Sequence, residues 1–558
     1  MSIKERLNQE IKEIKDIIEN SELIDNSTIS IFENISEDIN NFKLYLPLIG
    51  SFNSGKSSIL NTLFESKDLL ATDIIPKTAI ATEIIYDTSE RVEAYNFDKN
   101  NFEIFNKLED IESNNIEKYG YLKVYKDIKF LKNTPDIIFV DMPGLDSNID
   151  RHNKQILNYT QKDGIGFIAV IDIDDGGIKN STLRFIDEIN SYNLDFFIII
   201  NKIDKKIPSE IKEIEDSISN QLSKYNNIFI GKVSTFDNDM NDFKSILTQI
   251  DKDKYIKAIF IDKILLKINS IQQDLIVRKS AIEMDTDKID KKIEEFENGI
   301  YEFDKNLKKE KIAIENKFST NTINIILKDV NQALNFNIDR LLNSSETSQE
   351  NFESTINEIV RPIIIQSINE NIQQEFNITL KRLENFSSDI FDNISSFISK
   401  SDIAIGIMTT TIKASSTLVK IPALASLITF LSTKLNPVLA VISTLVSIAS
   451  MFMGKSKEEQ DREAYQQKIN NIKNNIIPKV IMELRPTLSE ALSNIQKEFF
   501  KELENSIDKQ KNELIASLNM AKDEKEKYKD DIKSQVKNFE HLMERFKNIY
   551  SKVISLKN

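Results

Sequence analysis

Apolar positions recur along the chain in two different periods, and the change between them divides it. Ile3, Leu7, Ile11, Ile14 and Ile18 step by four, four, three and four with charges between them, which predicts an amphipathic helix over residues 3–18. Its apolar stripe needs a partner, either on an adjoining domain or in a bundle with distant helices. From residue 41 the pattern turns into short apolar runs separated by helical stretches: Leu44 to Ile49, Ile84 and Ile85, Ile137 to Val140, Ile165 to Ile171, Phe196 to Ile200, and Ile228 to Val233. Such runs predict a mainly parallel sheet with helices on both faces, whose ligands sit at the carboxyl ends of the strands.

After Tyr255 the strand pattern fades. Ile289, Ile293, Phe296, Ile300, Phe303 and Leu307 step by four, three, four, three and four, and Tyr528, Ile532, Val536, Phe539, Met543, Phe546, Tyr550 and Val553 form a second seam. With 12 Gly and 10 Pro in 558 residues, helix breakers are sparse. The predicted organisation is an N-terminal helical segment over 1–40 joining a neck bundle, an α/β domain over 41–250, an ascending helical stalk over 251–402, an apolar tip over 403–457, and a returning stalk over 458–558. An ordinary globular helical domain would show the same periodicity.

The tip stands out by composition. Residues 403–457 hold no Asp or Glu, and their only charges are Lys413, Lys420, Lys434, Lys455 and Lys457. The stretch 435–454 is uncharged and long enough to span a bilayer, although Asn436, Pro437 and several hydroxyl residues weaken that reading. Three readings remain: buried core between helices, a transmembrane hairpin, or an apolar paddle dipping into one leaflet with its lysines on anionic headgroups.

Charge narrows the partners. A net charge of −15 argues against a nucleic-acid partner, because phosphate backbones are bound by clustered Lys and Arg. With no Cys and only His152 and His541, disulfides, thiolate metal sites and histidine metal centres are not expected. The start, MSIKERLNQEIKEIK, lacks the continuous apolar core of a secretory signal, so a cytoplasmic location is expected, peripheral at a membrane if the tip is a paddle.

The chemistry concentrates at three strand ends. GSFNSGKSS, residues 50–58, fits G-x-x-x-x-G-K-[ST] between a predicted strand and a predicted helix. Gly50, Ser51, Asn53, Ser54, Gly55 and Ser58 supply a wrapping loop for a polyphosphate, Lys56 reaches its outer phosphates, and the Ser57 hydroxyl serves Mg²⁺. DMPG, Asp141 to Gly144, follows the run IIFV. There an Asp can hold Mg²⁺ through water and the Gly144 N–H can sense the terminal phosphate. NKID, Asn201 to Asp204, follows FFIII. The Asp204 carboxylate can accept two hydrogen bonds from guanine, where adenine presents the wrong pattern, with Asn201 and Lys202 in support. A capping Asp after a strand is the plainer reading of the tetrapeptide alone. Thr78, 22 residues after Lys56, can complete the Mg²⁺ shell from a switch loop, and Thr82 competes for that role. Ser234, within VST, is a candidate backbone contact to the base.

GSFNSGKSS, PKTAIAT, DMPG and NKID in this order, followed by some three hundred helical residues with an apolar tip, resemble a GTPase of the translation-factor-related class and, more narrowly, a bacterial dynamin-like protein. The resemblance implies an α/β P-loop GTPase domain with a helical neck and stalk. It also implies GTP hydrolysis to GDP with Mg²⁺, head dimerisation or hetero-assembly with a related GTPase, and membrane binding or remodelling. A GTP-dependent switch or scaffold acting on a protein partner is the alternative. Two departures bear on rate: where eukaryotic dynamins carry a loop Gln this chain has Phe52, and where Ras-like enzymes place their catalytic Gln it has Leu145. Asn53, Ser51, the Thr78 region or a group supplied across a dimer must then position the attacking water, and slow basal turnover is expected.

Overall fold

The computed structural model describes residues 2–66, 69–70, 80–96, 101–111, 118–144, 159, 164–191, 194–225, 228–347, 349–394, 465–529 and 531–557. The chain divides into two compact units, one formed by Asn41–Tyr255 and the other by the described parts of 1–40 and 256–558. Thr78, Leu145, His152 and the whole apolar tip, 403–457, lie outside the described residues.

The helical unit begins with α1 (Ile3–Glu19), capped at its start by a reciprocal Ser2 and Glu5 pair, and α2 (Ser27–Asn41). The nucleotide unit follows, with β1 (Leu44–Ile49), α3 (Lys56–Leu63), β2 (Ala81–Tyr86), β3 (Arg91–Asn96), β4 (Asn101–Phe105), β5 (Tyr119–Lys126), α4 (Lys129–Asn133), β6 (Ile137–Asp141), β7 (Gly166–Asp172), α5 (Asn180–Ser191), β8 (Asp195–Asn201), α6 (Pro208–Gln221), β9 (Ile230–Lys232), α7 (Asn241–Gln249) and α8 (Lys252–Ile256). Among the described residues these strands form one nine-stranded sheet in the order β4-β3-β5-β2-β6-β1-β7-β8-β9.

From β6 to β9 every neighbour is parallel, and β6 and β7 are buried at every position, as strands covered on both faces must be. Pro47 sits inside β1, where it removes an N–H. Leu44 donates toward β6 and Tyr45 toward the β7 side, so the missing donor at Pro47 faces β7, and the β1–β7 ladder is interrupted between Tyr45 and Leu48. The other half of the sheet is mixed. β2 runs antiparallel to β6, with Thr82 opposite Asp141, and β3 runs antiparallel to both β4 and β5. The carboxyl ends of β1, β6, β7, β8 and β9 therefore share one edge with the amino end of β2.

The helical unit continues from a π-turn (Lys257–Ile261) into α9 (Asp262–Ile282), α10 (Thr286–Lys317), a π-turn (Phe318–Thr322), α11 (Ile323–Phe336), α12 (Ile338–Thr347) and α13 (Gln349–Ile394), then a π-turn (Ile472–Ile476), α14 (Ile477–Lys527) and α15 (Ile532–Ser555). α9 packs on α14 and α15, α10 and α11 on α13 and α14, and α1 on α15. Phe376 stacks on Phe499 at 3.9 Å between ring centres, flanked by Phe318 and Phe500, which joins α13 to α14 through aromatic area. In α10, Ile289, Ile300, Phe303 and Leu307 are buried. The α15 seam is turned from the expected one: Leu542 and Ile549 are buried, whereas Met543 and Tyr550 are only partly so, and Tyr528 stands in the turn before the helix. The buried stripe at Phe539, Leu542, Phe546, Ile549 and Val553 steps by three, four, three and four, a heptad spacing in which Leu542 and Ile549 take the places expected for Met543 and Tyr550.

Candidate functional site

Each motif lies at the shared strand edge for a local reason. Gly55 stands before α3 at φ +89°, a conformation that L side chains resist, and a Cβ there would lie 2.3 Å from Asn201 Nδ2. No side chain caps this helix start, so the N–H groups of Lys56, Ser57 and Ser58 open on the loop, an arrangement suited to anions. Lys56 is 5% exposed and curls over the loop, donating to the carbonyls of Gly50 (3.2 Å) and Ser51 (2.9 Å). The Ser54 hydroxyl closes the loop onto the Ser51 carbonyl at 2.9 Å.

Asp141 ends β6, and its Oδ2 accepts a 2.6 Å hydrogen bond from Ser57 Oγ. Burial raises the Asp141 carboxyl above its ordinary value, opposed by Ser57 and by the charge of Lys56. Its other oxygen, Oδ1, is buried and unpartnered. A hydroxyl and a carboxylate with a spare oxygen are hard donors of the kind Mg²⁺ takes, usually with few protein ligands, so the residues fit that ion. Gly144 backs onto the Phe52 backbone, where a Cβ would meet Phe52 Cα at 2.6 Å. Thr82, the competitor of Thr78, is buried in β2, its hydroxyl 3.5 Å from the Ile80 carbonyl.

The base-side motif is bound to the phosphate loop. Asn201, fully buried, donates to the Ser54 carbonyl at 2.9 Å, and its own Oδ1 is an unpartnered buried acceptor. Lys202 takes the left-handed conformation at φ +64° and donates to the Asn53 carbonyl (2.6 Å) and to Asp172 Oδ2 (2.5 Å). Asp204 is exposed and accepts from the Ser234 hydroxyl at 2.7 Å. Thus Ser234 meets Asp204 through its side chain, where a backbone contact to the base was expected.

Two further residues belong to this edge. Asp172, 8% exposed, ends β7 in register with Asn201 and holds Lys202, a role that only the pairing of β7 with β8 brings out. Asn61, in the helix after the loop, binds both the N–H and the carbonyl of Leu70 at 2.9 and 2.8 Å.

Residues 46–203 match the model of the dynamin family. The matched stretch is 158 of the 558 residues, and over it the chain is similar to the dynamin family. An uncharacterized protein from the xynA 3′ region of Caldicellulosiruptor sp. (strain Rt8B.4) is 28% identical over 243 residues, 40% of this chain, and the match spans 56% of that relative's length. A chain of an oligomerised bacterial dynamin pair, a structure concerned with long-range sensing and tethering of membranes, aligns over 100% of this chain and 83% of its own at 15% identity and a TM-score of 0.43. LeoA, a bacterial dynamin GTPase from ETEC, aligns over 99% of this chain and 100% of its own at 12% identity and a TM-score of 0.30. The dynamin-family match runs from the phosphate-loop strand into NKID and contains Asp141, Asp172 and Asn201. Among the described residues no helix is long and apolar enough to cross a membrane, and no cluster of three or more acidic or histidine side chains is placed to hold a metal.

Proposed function

We propose that the chain hydrolyses GTP to GDP and phosphate and couples pairing of its nucleotide units to rearrangement of the helical unit at a membrane. The observation that carries the first part is the joining of three motifs at one strand edge: Ser57 to Asp141, Asn201 to Ser54, and Asp204 to Ser234. In this reading the loop N–H groups and Lys56 hold the β- and γ-phosphates, Ser57 and Asp141 hold the cation, and Asp204 reads the guanine edge. A divalent cation bound there neutralises the charge between the phosphates. Gly144 would present its N–H to the terminal phosphate, and Thr78, which lies outside the described residues, would be a further oxygen donor to the cation. Phe52 has no polar atom to aim a water, so Asn53, Ser51 or a group from a second copy does so, and turnover in the dilute chain is slow. The membrane part rests on the lysine-flanked apolar stretch 403–457 and on the family.

The test is GTP turnover of the full chain measured against its own concentration, with and without anionic liposomes. Turnover per molecule that rises with concentration and again with lipid supports the proposal. Fast single-turnover hydrolysis by the dilute chain refutes assembly-dependent catalysis, and a rate indifferent to lipid with no liposome flotation favours a switch acting on a protein partner. Asp204→Asn should move preference from GTP toward xanthosine triphosphate, since the amide donates where the carboxylate accepted.

A further inference from the structure

We propose that β4 is a docking edge for a second copy of this chain, pairing antiparallel with the β4 of that copy about a twofold axis at Ile104. The two ends of the sheet are built differently. At one end β9 is three residues long and its outward side is closed: the Lys232 N–H donates to Asp242 Oδ2 of α7 at 2.8 Å, and a Cβ on Gly231 would lie 3.0 Å from the Asp242 Cβ. At the other end, among the described residues, no strand lies beyond β4. Its sequence, NFEIF, holds neither the Lys nor the Pro that blunts an exposed edge, and Ile104 is 70% and Phe102 38% exposed. An edge strand turns the N–H and C=O of every second residue outward, a row that another strand can satisfy.

The chemistry of this edge selects the occupant. Tyr95 stacks on Tyr121 and packs against Phe102, each at 5.2 Å between ring centres, so Phe102 and Ile104 carry an aromatic face to the rim of the sheet. Cations around it are engaged: Arg91 pairs with Asp87 and Glu93 at 2.7 and 2.8 Å, Lys118 with Glu103 at 3.5 Å, and Lys123 lies over the Phe102 ring. A lipid headgroup or nucleic-acid phosphate finds little to bind there, whereas a strand with apolar residues on the same face does. β4 is itself such a strand. Pairing centred on Glu103 would set two carboxylates directly opposite each other, which repels. Centred on Ile104, pairing sets Ile104 on its own copy, places the Phe102 of each chain diagonal to it, and brings Glu103 opposite Phe105. Two five-residue strands bury less than the roughly 1,000 Å² of a stable interface, so the contact is weak and forms where copies are already crowded. It needs no nucleotide, since β3, β5, β2 and β6 separate β4 from the phosphate-loop strand β1.

The chain has no Cys, so a single Cys reports one position alone. Directly opposite residues of an antiparallel pair lie within disulfide reach. Under mild oxidation without nucleotide, full-length Ile104→Cys should form a linked dimer at least about tenfold faster than Met482→Cys, an exposed position of the helical unit that reports random collision. Ile104→Lys sets two ammonium groups at the axis and should weaken self-association in sedimentation about tenfold or more, with binding of a fluorescent GDP analogue unchanged. Linkage of Ile104→Cys no faster than of Met482→Cys overturns the proposal. Self-association that Ile104→Lys leaves intact also overturns it and places the contact on another face. Faster linkage of Glu103→Cys than of Ile104→Cys overturns the axis at Ile104. Loss of flotation with phosphatidylglycerol vesicles in Ile104→Lys, with sedimentation unchanged, overturns the proposal in favour of a lipid surface.

Discussion

Arg278 is 4% exposed within the helical unit and is bound on every side. It pairs with Glu524 of α14 through two of its nitrogens, with Asp274 of its own helix at 2.9 Å, and with the Leu23 carbonyl in the connection after α1. Its guanidinium carbon lies 5.5 Å from the centre of the Phe539 ring in α15. Burial pulls this guanidinium down, but Glu524 and Asp274 outweigh it and hold it above its ordinary value. Arg278→Met keeps most of the stem volume and removes the charge. Glu524, whose side chain is 15% exposed, then loses its paired cation and keeps only the charge of Lys527 nearby. Breaking a buried pair costs about 3–5 kcal/mol, and with Glu524 only partly buried the lower end, about 3 kcal/mol, applies, the cation–π contact included. With a urea slope of about 3 kcal/mol/M, the midpoint of helix loss at 222 nm should fall by about 1 M or more. Arg278→Met with Glu524→Met should recover much of the loss, because both charges are then gone. A midpoint shift below about 0.3 M, or a double variant as unstable as the two single losses added, would refute the argument.

Other outcomes follow from single contacts. Gly55→Ala brings a Cβ against Asn201 in a conformation only glycine accepts readily, so binding of a fluorescent GDP analogue should drop at least about 100-fold with the helical circular dichroism signal kept. Ser57→Ala removes the hydroxyl that meets Asp141. Nucleotide binding in EDTA should match the unaltered chain, while the gain on adding Mg²⁺ should be lost. Burial, with repulsion from Glu13, raises Glu10 above its ordinary value against the pull of Lys552. The folded chain thus keeps this proton where the unfolded chain has lost it, and the contribution of Glu10 to stability falls as pH rises from its ordinary value through the raised one. The melting temperature of Glu10→Gln relative to the unaltered chain should accordingly rise with pH over that window, and a flat or falling difference would contradict the assignment.

The buried strands were legible because burial on both faces writes a continuous apolar run: Leu44 to Ile49 is β1 residue for residue. β3, β4 and β5 were not found by that rule. They pair at the far end of the sheet, and β3 and β5 alternate, with Val92, Ala94, Leu122 and Val124 buried between partly exposed neighbours. Their signal was period two, which a search for runs passes over. The antiparallel placement of β2 has no local signal, since it depends on a partner more than fifty residues away. In the site, Ser57, Asp141, Asn201 and Asp204 could be named because their types and order carry chemistry. Asp172 could not, because its role lies in holding Lys202, and the second residue becomes visible only once β7 and β8 lie side by side.

The packing of α1 on α15 also sets an order of events during synthesis. Lys552 donates to Glu13 at 2.6 Å across 539 positions of sequence. At about 5–20 residues per second, α1 waits roughly half a minute to two minutes after leaving the ribosome before α15 exists to cover it. The nucleotide unit is continuous in sequence and can close in that interval, whereas the isoleucine stripe of α1 remains open to chaperones or to neighbouring nascent chains.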